Sequence, residues 1–310
     1  MVDLKRLILV TGAPRSGTTT VGEVLGVAPH TSYVYEPMNF HAGDKCIGRY
    51  FEVPGSMEFP KERFGDLIQR IASCQLNLKS GVWPEDKGLR YLGKRIIGGR
   101  SRISYLKMKL AIGLQTIVWK DPIAALAAPE AALVHGMPVV VTYRTPYQIA
   151  ASFKRMKWAF DVIDIQRRAL AAGLWAEGDY SNFDLIDPVT NAAIMWVLVY
   201  ENMRRLARQT DSLHIVHVDQ LIDHPLETYR DIFSKLGLVM SLRVTKTISK
   251  QYPSNHSAAI TVPTGHAHTK NRNLMAMKTY WQKFLTPLEI EIIKCITSNF
   301  QEVFETEMFV

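Results

Sequence analysis

Near the start of the chain, Gly12-Ala13-Pro14-Arg15-Ser16-Gly17-Thr18-Thr19 has the residue types and glycine spacing of a phosphate-binding loop. Such a loop works because its backbone N–H groups and the first turn of the following helix converge on one anion. The nucleotide-hydrolysing version carries a lysine where this chain has Thr18, and uses it with Mg²⁺ against a multiply charged γ-phosphate. Here the cation sits inside the loop, at Arg15. One loop cation with hydroxyl and backbone donors suits a transferred group of lower charge, stabilised by fixed dipoles without a metal.

Three further stretches could do chemistry. Arg144 closes the apolar run 139–143, and Ser152 follows it eight residues later, beyond Thr145-Pro146. Thr145 is a good N-cap and Pro146 a good first helical residue, so 147–157 reads as a helix. At 1.5 Å rise per residue Ser152 lies about 9 Å along it, so an anion held by both residues lies beside the helix, not on its tip. Glu36 follows the short run 32–35, where a carboxylate could take a proton from an attacking hydroxyl. His41 is the alternative base. Lys120 closes the run 116–119, and Asp121 beside it could orient the lysine or serve as an acid/base group.

The elements that must position these groups follow from the same runs. Residues 6–11, 32–35, 116–119, 139–143 and 213–218 are short and β-rich, and helical patterns separate most of them. That alternation predicts an α/β fold with a parallel sheet covered on both faces. In such sheets ligands bind outside the carboxyl ends of the strands, and every candidate above follows a strand. Two long insertions, 40–114 and 158–211, show no linker composition and are expected to be mostly helical coverings on one domain spanning 1–310. Near the end, Thr286-Pro287-Leu288-Glu289 is a capping box, and Ile290, Ile293, Ile296, Phe300 and Val303 are expected to form one apolar face.

The segment Pro14-Arg15-Ser16-Gly17-Thr18-Thr19 resembles the 5′-phosphosulfate loop of the sulfotransferases that use PAPS (3′-phosphoadenosine 5′-phosphosulfate), whose pattern is P-[K/R]-S-G-T-[T/S]. The resemblance implies that Arg15 contacts the transferred sulfuryl group and leaving oxygen, with Pro14, Ser16, Gly17, Thr18 and Thr19 around the 5′-phosphate. Arg144 and Ser152 match the pair that holds the 3′-phosphate. Weaker likeness extends through residues 213–221, Pro225, 236–238 and 281–286. By the same resemblance Glu36 is the base and Lys120 lies near the sulfuryl group. The segment 264–272 is expected to close over the nucleotide, with Lys270 and Arg272 reaching the 3′-phosphate. The loop arginine, Pro122 in place of a histidine, and the absence of RKG and GDWK depart from the cytosolic small-molecule branch. The chain is more similar to the carbohydrate-type and bacterial branch. That implies a P-loop NTPase-like three-layer sandwich with helical insertions, a carbohydrate or glycolipid hydroxyl as acceptor, PAP (3′-phosphoadenosine 5′-phosphate) as product, and no metal. A P-loop kinase, which Thr18 argues against, and a nucleotide-binding module without catalysis are the alternatives.

The bulk properties are compatible with that reading. A formal charge of +8 and a pI of about 9.3 fit a polyanionic partner. Eight of the cations, Lys87, Arg90, Lys94, Arg95, Arg100, Arg102, Lys107 and Lys109, crowd one stretch with Tyr91 and Tyr105. This stretch suits an acidic glycan, a lipid head group or nucleic acid, or is a solvated helical face, and no recognised nucleic-acid motif accompanies it. Cys46, Cys74 and Cys295 have no pairing or ligand spacing and are expected as buried thiols in a reducing compartment. The apolar runs 7–10 and 192–200 are too short for a leader or a membrane span, which predicts a soluble, cytoplasmic protein.

Overall fold

The computed structural model describes residues 4–82, 88, 99–253 and 274–309. Its centre is a five-stranded sheet of β1 (Arg6–Thr11), β2 (Thr31–Tyr35), β3 (Thr116–Lys120), β4 (Val139–Tyr143) and β5 (Leu213–His217). The order is β2-β3-β1-β4-β5, and every pairing is parallel. Val10 and Tyr35 both lie opposite Lys120, and Tyr143 lies opposite His217. Neighbouring strands therefore end within two residues of one another, and the residues after them share one carboxyl edge.

The helices are α1 (Thr18–Leu25), α2 (Lys61–Ala72), α3 (Arg100–Lys109), α4 (Ala128–Leu133), α5 (Pro146–Met156), α6 (Val162–Ala171), α7 (Pro188–Ala207), α8 (Val218–Asp223), α9 (Pro225–Lys235), α10 (Leu242–Gln251), α11 (Leu274–Phe284) and α12 (Pro287–Phe309). Alternate strand side chains point to opposite faces. Ile8 and Val10 join the core under α1, α8, α9 and α10, whereas Leu7 and Leu9 join the larger core with α2, α5, α7 and α12. The α/β sandwich expected from the strand runs is the observed fold.

Helix α7 explains the apolar run 192–200. It is buried on every side from Val189 to Met203, as a helix inside a thick layer must be. It also braces the end of β4, because Trp196 Nε1 donates to the Arg144 carbonyl and the Tyr200 hydroxyl to the Thr142 carbonyl, both at 2.8 Å. Tyr200→Phe removes one of these buried bonds and is expected to lower the unfolding free energy by about 1–2 kcal/mol, measured by urea titration.

Four expectations need correction. Residues 40–60 are turns and bends rather than helix, because Gly43, Pro54, Gly55 and Pro60 interrupt any helical run, and only α2 and α3 are named helices in the described part of 40–114. Buried Asp44 organises these turns, accepting from Cys46 N, Asn77 N and Arg70 Nη2 at 2.9–3.1 Å. Val218 opens α8 instead of ending β5, since the His217 ring accepts the Asp219 N–H and caps the helix. On α12 Val303 is exposed and Phe304 is buried in its place. None of the thiols is fully buried, and Cys295 is exposed. Among the described residues no helix is long and apolar enough to cross a membrane.

Candidate active site

The loop between β1 and α1 is held tightly. Gly12 has φ 138°, and a Cβ there would lie 2.4 Å from the Thr142 carbonyl, so only glycine fits. The Ser16 N–H donates to the Ala13 carbonyl at 3.0 Å, and its hydroxyl meets the Thr142 hydroxyl at 2.7 Å. Gly17, at φ 100°, is the N-cap of α1 and no side chain caps it, which leaves the first turn as an anion cradle. Arg15 has φ 76°, a left-handed conformation that a non-glycine residue adopts only when its surroundings enforce it.

Those surroundings are the second pair of candidates. Arg15 Nε donates to Ser152 Oγ at 2.9 Å, and Arg144 Nη1 donates to the Arg15 carbonyl at 3.2 Å. Arg144 and Ser152 are both buried. The Arg15 guanidinium also lies 5.8 Å from the centroid of the Trp158 ring. Residues 15, 144 and 152 thus meet at one point, with α5 oriented by its capping box of Thr145 and Gln148.

Glu36 and Lys120 form a second cluster. Lys120 Nζ donates to Glu36 Oε1 at 2.5 Å, with 2 % of the lysine and 13 % of the glutamate side chain exposed. Glu36 adopts φ 49°, its N–H donates to the Lys120 carbonyl at 2.8 Å, and its Oε2 accepts from Asn39 Nδ2 at 2.9 Å. The Lys120 ammonium lies 4.2 Å from the Tyr35 ring centroid. A Cβ on Gly22 of α1 would fall 2.9 Å from Lys120 Cβ, so this glycine lets the lysine lie against the helix that the phosphate-type loop opens.

Two carboxyls share this corner and their environments separate them. Burial pushes Glu36 up, but the Lys120 ammonium and donors from Lys120, Asn39 and Tyr35 outweigh it and hold the group below the usual carboxylate range. Asp121 is wholly buried, and burial together with the Glu36 charge pushes it up to about 7. It accepts from Met38 N at 2.6 Å, Ile123 N at 3.1 Å and Trp119 Nε1 at 3.3 Å, so it fixes the turn that carries Glu36. Linkage gives the two groups opposite signs. The unfolded chain releases the Asp121 proton near pH 3.9 and the folded chain near 7, so this group's contribution to stability falls as pH rises across that window. The Glu36 contribution is complete above its unfolded value of about 4.3 and is lost as pH falls through its lower folded value. Urea unfolding at a series of pH values is expected to show the Asp121 slope between about pH 4 and 7, and Asp121→Asn to flatten it.

His41 packs its ring against Phe40 and Tyr50, with centroids 4.8 and 6.0 Å away. Lys270 and Arg272 lie outside the described residues, as do Lys87, Arg90, Lys94 and Arg95 of the basic stretch. Arg100, the described head of that stretch, pairs with Glu23 and lies 4.5 Å from the Tyr35 ring centroid. Asn39, Tyr35, Gly22, Thr142 and Trp158 complete the site without belonging to the motifs that mark it in the sequence. Asn39 had a signal in its three-residue spacing from Glu36 in a Pro-containing turn, whereas Trp158 had none, because only the fold brings it over Arg15.

The carboxyl edge of a parallel α/β sheet, carrying a phosphate-type loop, the basic pair of Arg15 and Arg144 and the buried Glu36–Lys120 pair, is the class of architecture this chain defines. Among solved structures it is similar to the sulfotransferase domain from the curacin biosynthetic pathway, with 15% identity, a TM-score of 0.46 and coverage of 95% of this chain and 98% of that one. It is also similar to sulfotransferase STF1 from Mycobacterium tuberculosis H37Rv, at 18% identity, TM-score 0.42 and coverage of 96% and 78%. Mouse sulfotransferase SULT7A1 complexed with PAP gives 12% identity, TM-score 0.34 and coverage of 98% and 85%. No family model and no curated protein matches the chain. Likenesses this distant assign no residue a role.

Proposed function

We propose that the chain is a sulfotransferase that moves the sulfuryl group of PAPS to a hydroxyl acceptor. The observation that carries this reading is the meeting of Arg15 with Ser152 and Arg144 beside the uncapped start of α1. An anion cradle with a second basic and hydroxyl pair against it fits a nucleotide with two separate phosphate groups. PAP and PAPS have this feature, and ADP and ATP lack it.

On this reading the 5′-phosphate rests on the loop of Pro14, Ser16, Gly17, Thr18 and Thr19, and Arg144 and Ser152 hold the 3′-phosphate. The acceptor oxygen attacks sulfur in line as its proton passes to Glu36. The sulfur–oxygen bond to the 5′-phosphate breaks, and PAP leaves with its charge met by Arg15 and the loop N–H groups. Protonation of Glu36 removes the partner of Lys120 and frees that ammonium to face the charge developing on the transferred group. The step needs no metal.

The acceptor is a carbohydrate or glycolipid, held by the insertions 40–114 and 158–211 of one domain. Phe40, Tyr50 and Phe160, half-buried and in contact at 5.7 and 5.5 Å, supply flat apolar surface that suits the faces of a sugar ring. Chromatography of PAP released from PAPS, with a panel of glycans and glycolipids, tests this proposal. Release that depends on an acceptor is expected. ATP turnover with Mg²⁺ and no PAPS turnover would instead indicate a kinase.

A further inference from the structure

Helix α3 lies along β2 with its inner face closed. Ser101, Ser104 and Met108 are buried, and Ser104 Oγ accepts the Tyr35 N–H at 2.9 Å. The outer face is different. Ile103, Leu106 and Leu110 follow at spacings of three and four, which places them on one stripe, and Ile112 continues it beyond the helix. Leu110 is 79 % exposed and Ile112 100 %. Arg102, Lys107 and Lys109 are exposed among them, and no Asp or Glu occurs anywhere from Lys87 to Lys120.

The stripe does not end at the helix. An open cavity of about 270 Å³ adjoins it, lined in part by Val27, Ala28, Ala111, Ile112, Leu114 and Arg243. Leu242, beside Arg243, is 82 % exposed. Large apolar side chains are thus presented to water together with cations and without acids along the same stretch.

This combination selects one partner. A nucleic acid or acidic glycan would satisfy the cations and leave isoleucine and leucine in water. A second copy of the chain would bring the same cations against each other. An anionic bilayer surface accepts both features, with the apolar side chains entering the headgroup–acyl boundary and the lysine and arginine heads staying at phosphate level. We infer that the outer face of α3, with Ile112, is a docking surface for an anionic lipid membrane. Docking here is peripheral and independent of nucleotide.

The test is co-sedimentation of the full chain with vesicles of phosphatidylcholine alone and of phosphatidylcholine with phosphatidylglycerol. Binding is expected to the anionic vesicles and to weaken as salt rises. Joint replacement of Ile103, Leu106, Leu110 and Ile112 by serine is expected to weaken partition at least about tenfold. Arg102→Glu with Lys107→Glu and Lys109→Glu is expected to abolish the preference for anionic vesicles. Unchanged melting temperatures confirm that both variants fold. Equal vesicle binding by wild type and the serine variant would overturn the inference. So would duplex DNA binding that the serine variant retains in the absence of vesicle binding, or a dimer in light scattering that the serine variant loses while vesicles are ignored.

Discussion

Glu36→Gln is expected to slow sulfuryl transfer by about 100- to 10,000-fold while leaving PAP affinity nearly unchanged. Glutamine keeps the shape of the side chain and an oxygen to accept from Lys120, so the hydrogen bond survives, although the buried ammonium loses its counter-charge and the melting temperature is expected to fall. What it cannot do is carry away the acceptor proton. The wild-type carboxyl is held below the usual range by Lys120, Asn39 and Tyr35, so it is ionised and ready at neutral pH. The acid limb of the rate–pH profile should accordingly lie low, provided Glu36 alone sets it. Single-turnover rates and PAP titration calorimetry on the same preparations separate the two effects. Loss of PAP binding in parallel with rate would make Glu36 a structural partner of Lys120 and no more.

The second large effect belongs to Lys120→Met. A nearly buried carboxylate that loses the ammonium paired with it is costly, typically by about 3–5 kcal/mol when one member of a buried pair is removed. Melting temperature should therefore fall substantially, and the released Glu36 should titrate higher because burial then acts on it unopposed. The acid limb of the rate profile is expected to move toward neutral pH. Combining Lys120→Met with Glu36→Gln should restore much of the lost stability, since no charge remains to be stranded. A double variant as unstable as Lys120→Met alone would show that packing of the lysine stem, and not its charge, is what matters.

Much of this site was legible in the sequence, for identifiable reasons. Short β-rich runs such as 139–143 announce buried strands because both faces of a parallel strand are covered, and Arg144, Lys120 and Glu36 then fall on the carboxyl edge by position alone. Helix geometry put Ser152 on the flank of α5 and not at its tip, and Arg15 reaches it there. The pairing of Glu36 with Lys120 was not legible, because it depends on β2 lying next to β3 across 84 positions of sequence. Nor was the role of Gly22, which looks like an ordinary helix glycine until Lys120 is seen lying across it. Residues 40–60 form turns because Gly43, Pro54, Gly55 and Pro60 interrupt a helix, although their composition carries no linker signature. The turns there are held by buried Asp44, a tertiary contact that no local pattern reports.

The proposed function rests on a site for a nucleotide bearing both a 5′- and a 3′-phosphate. Thermal unfolding with PAP, against ADP with Mg²⁺ as control, tests it most directly. A ligand at 100 times its dissociation constant stabilises the folded state by about 2.7 kcal/mol, a shift readily read from a melting curve. A clear rise is expected with PAP, little with ADP, and a much smaller rise with PAP in Arg144→Met. An equal rise with ADP and Mg²⁺, unaffected by Arg144→Met, would contradict it.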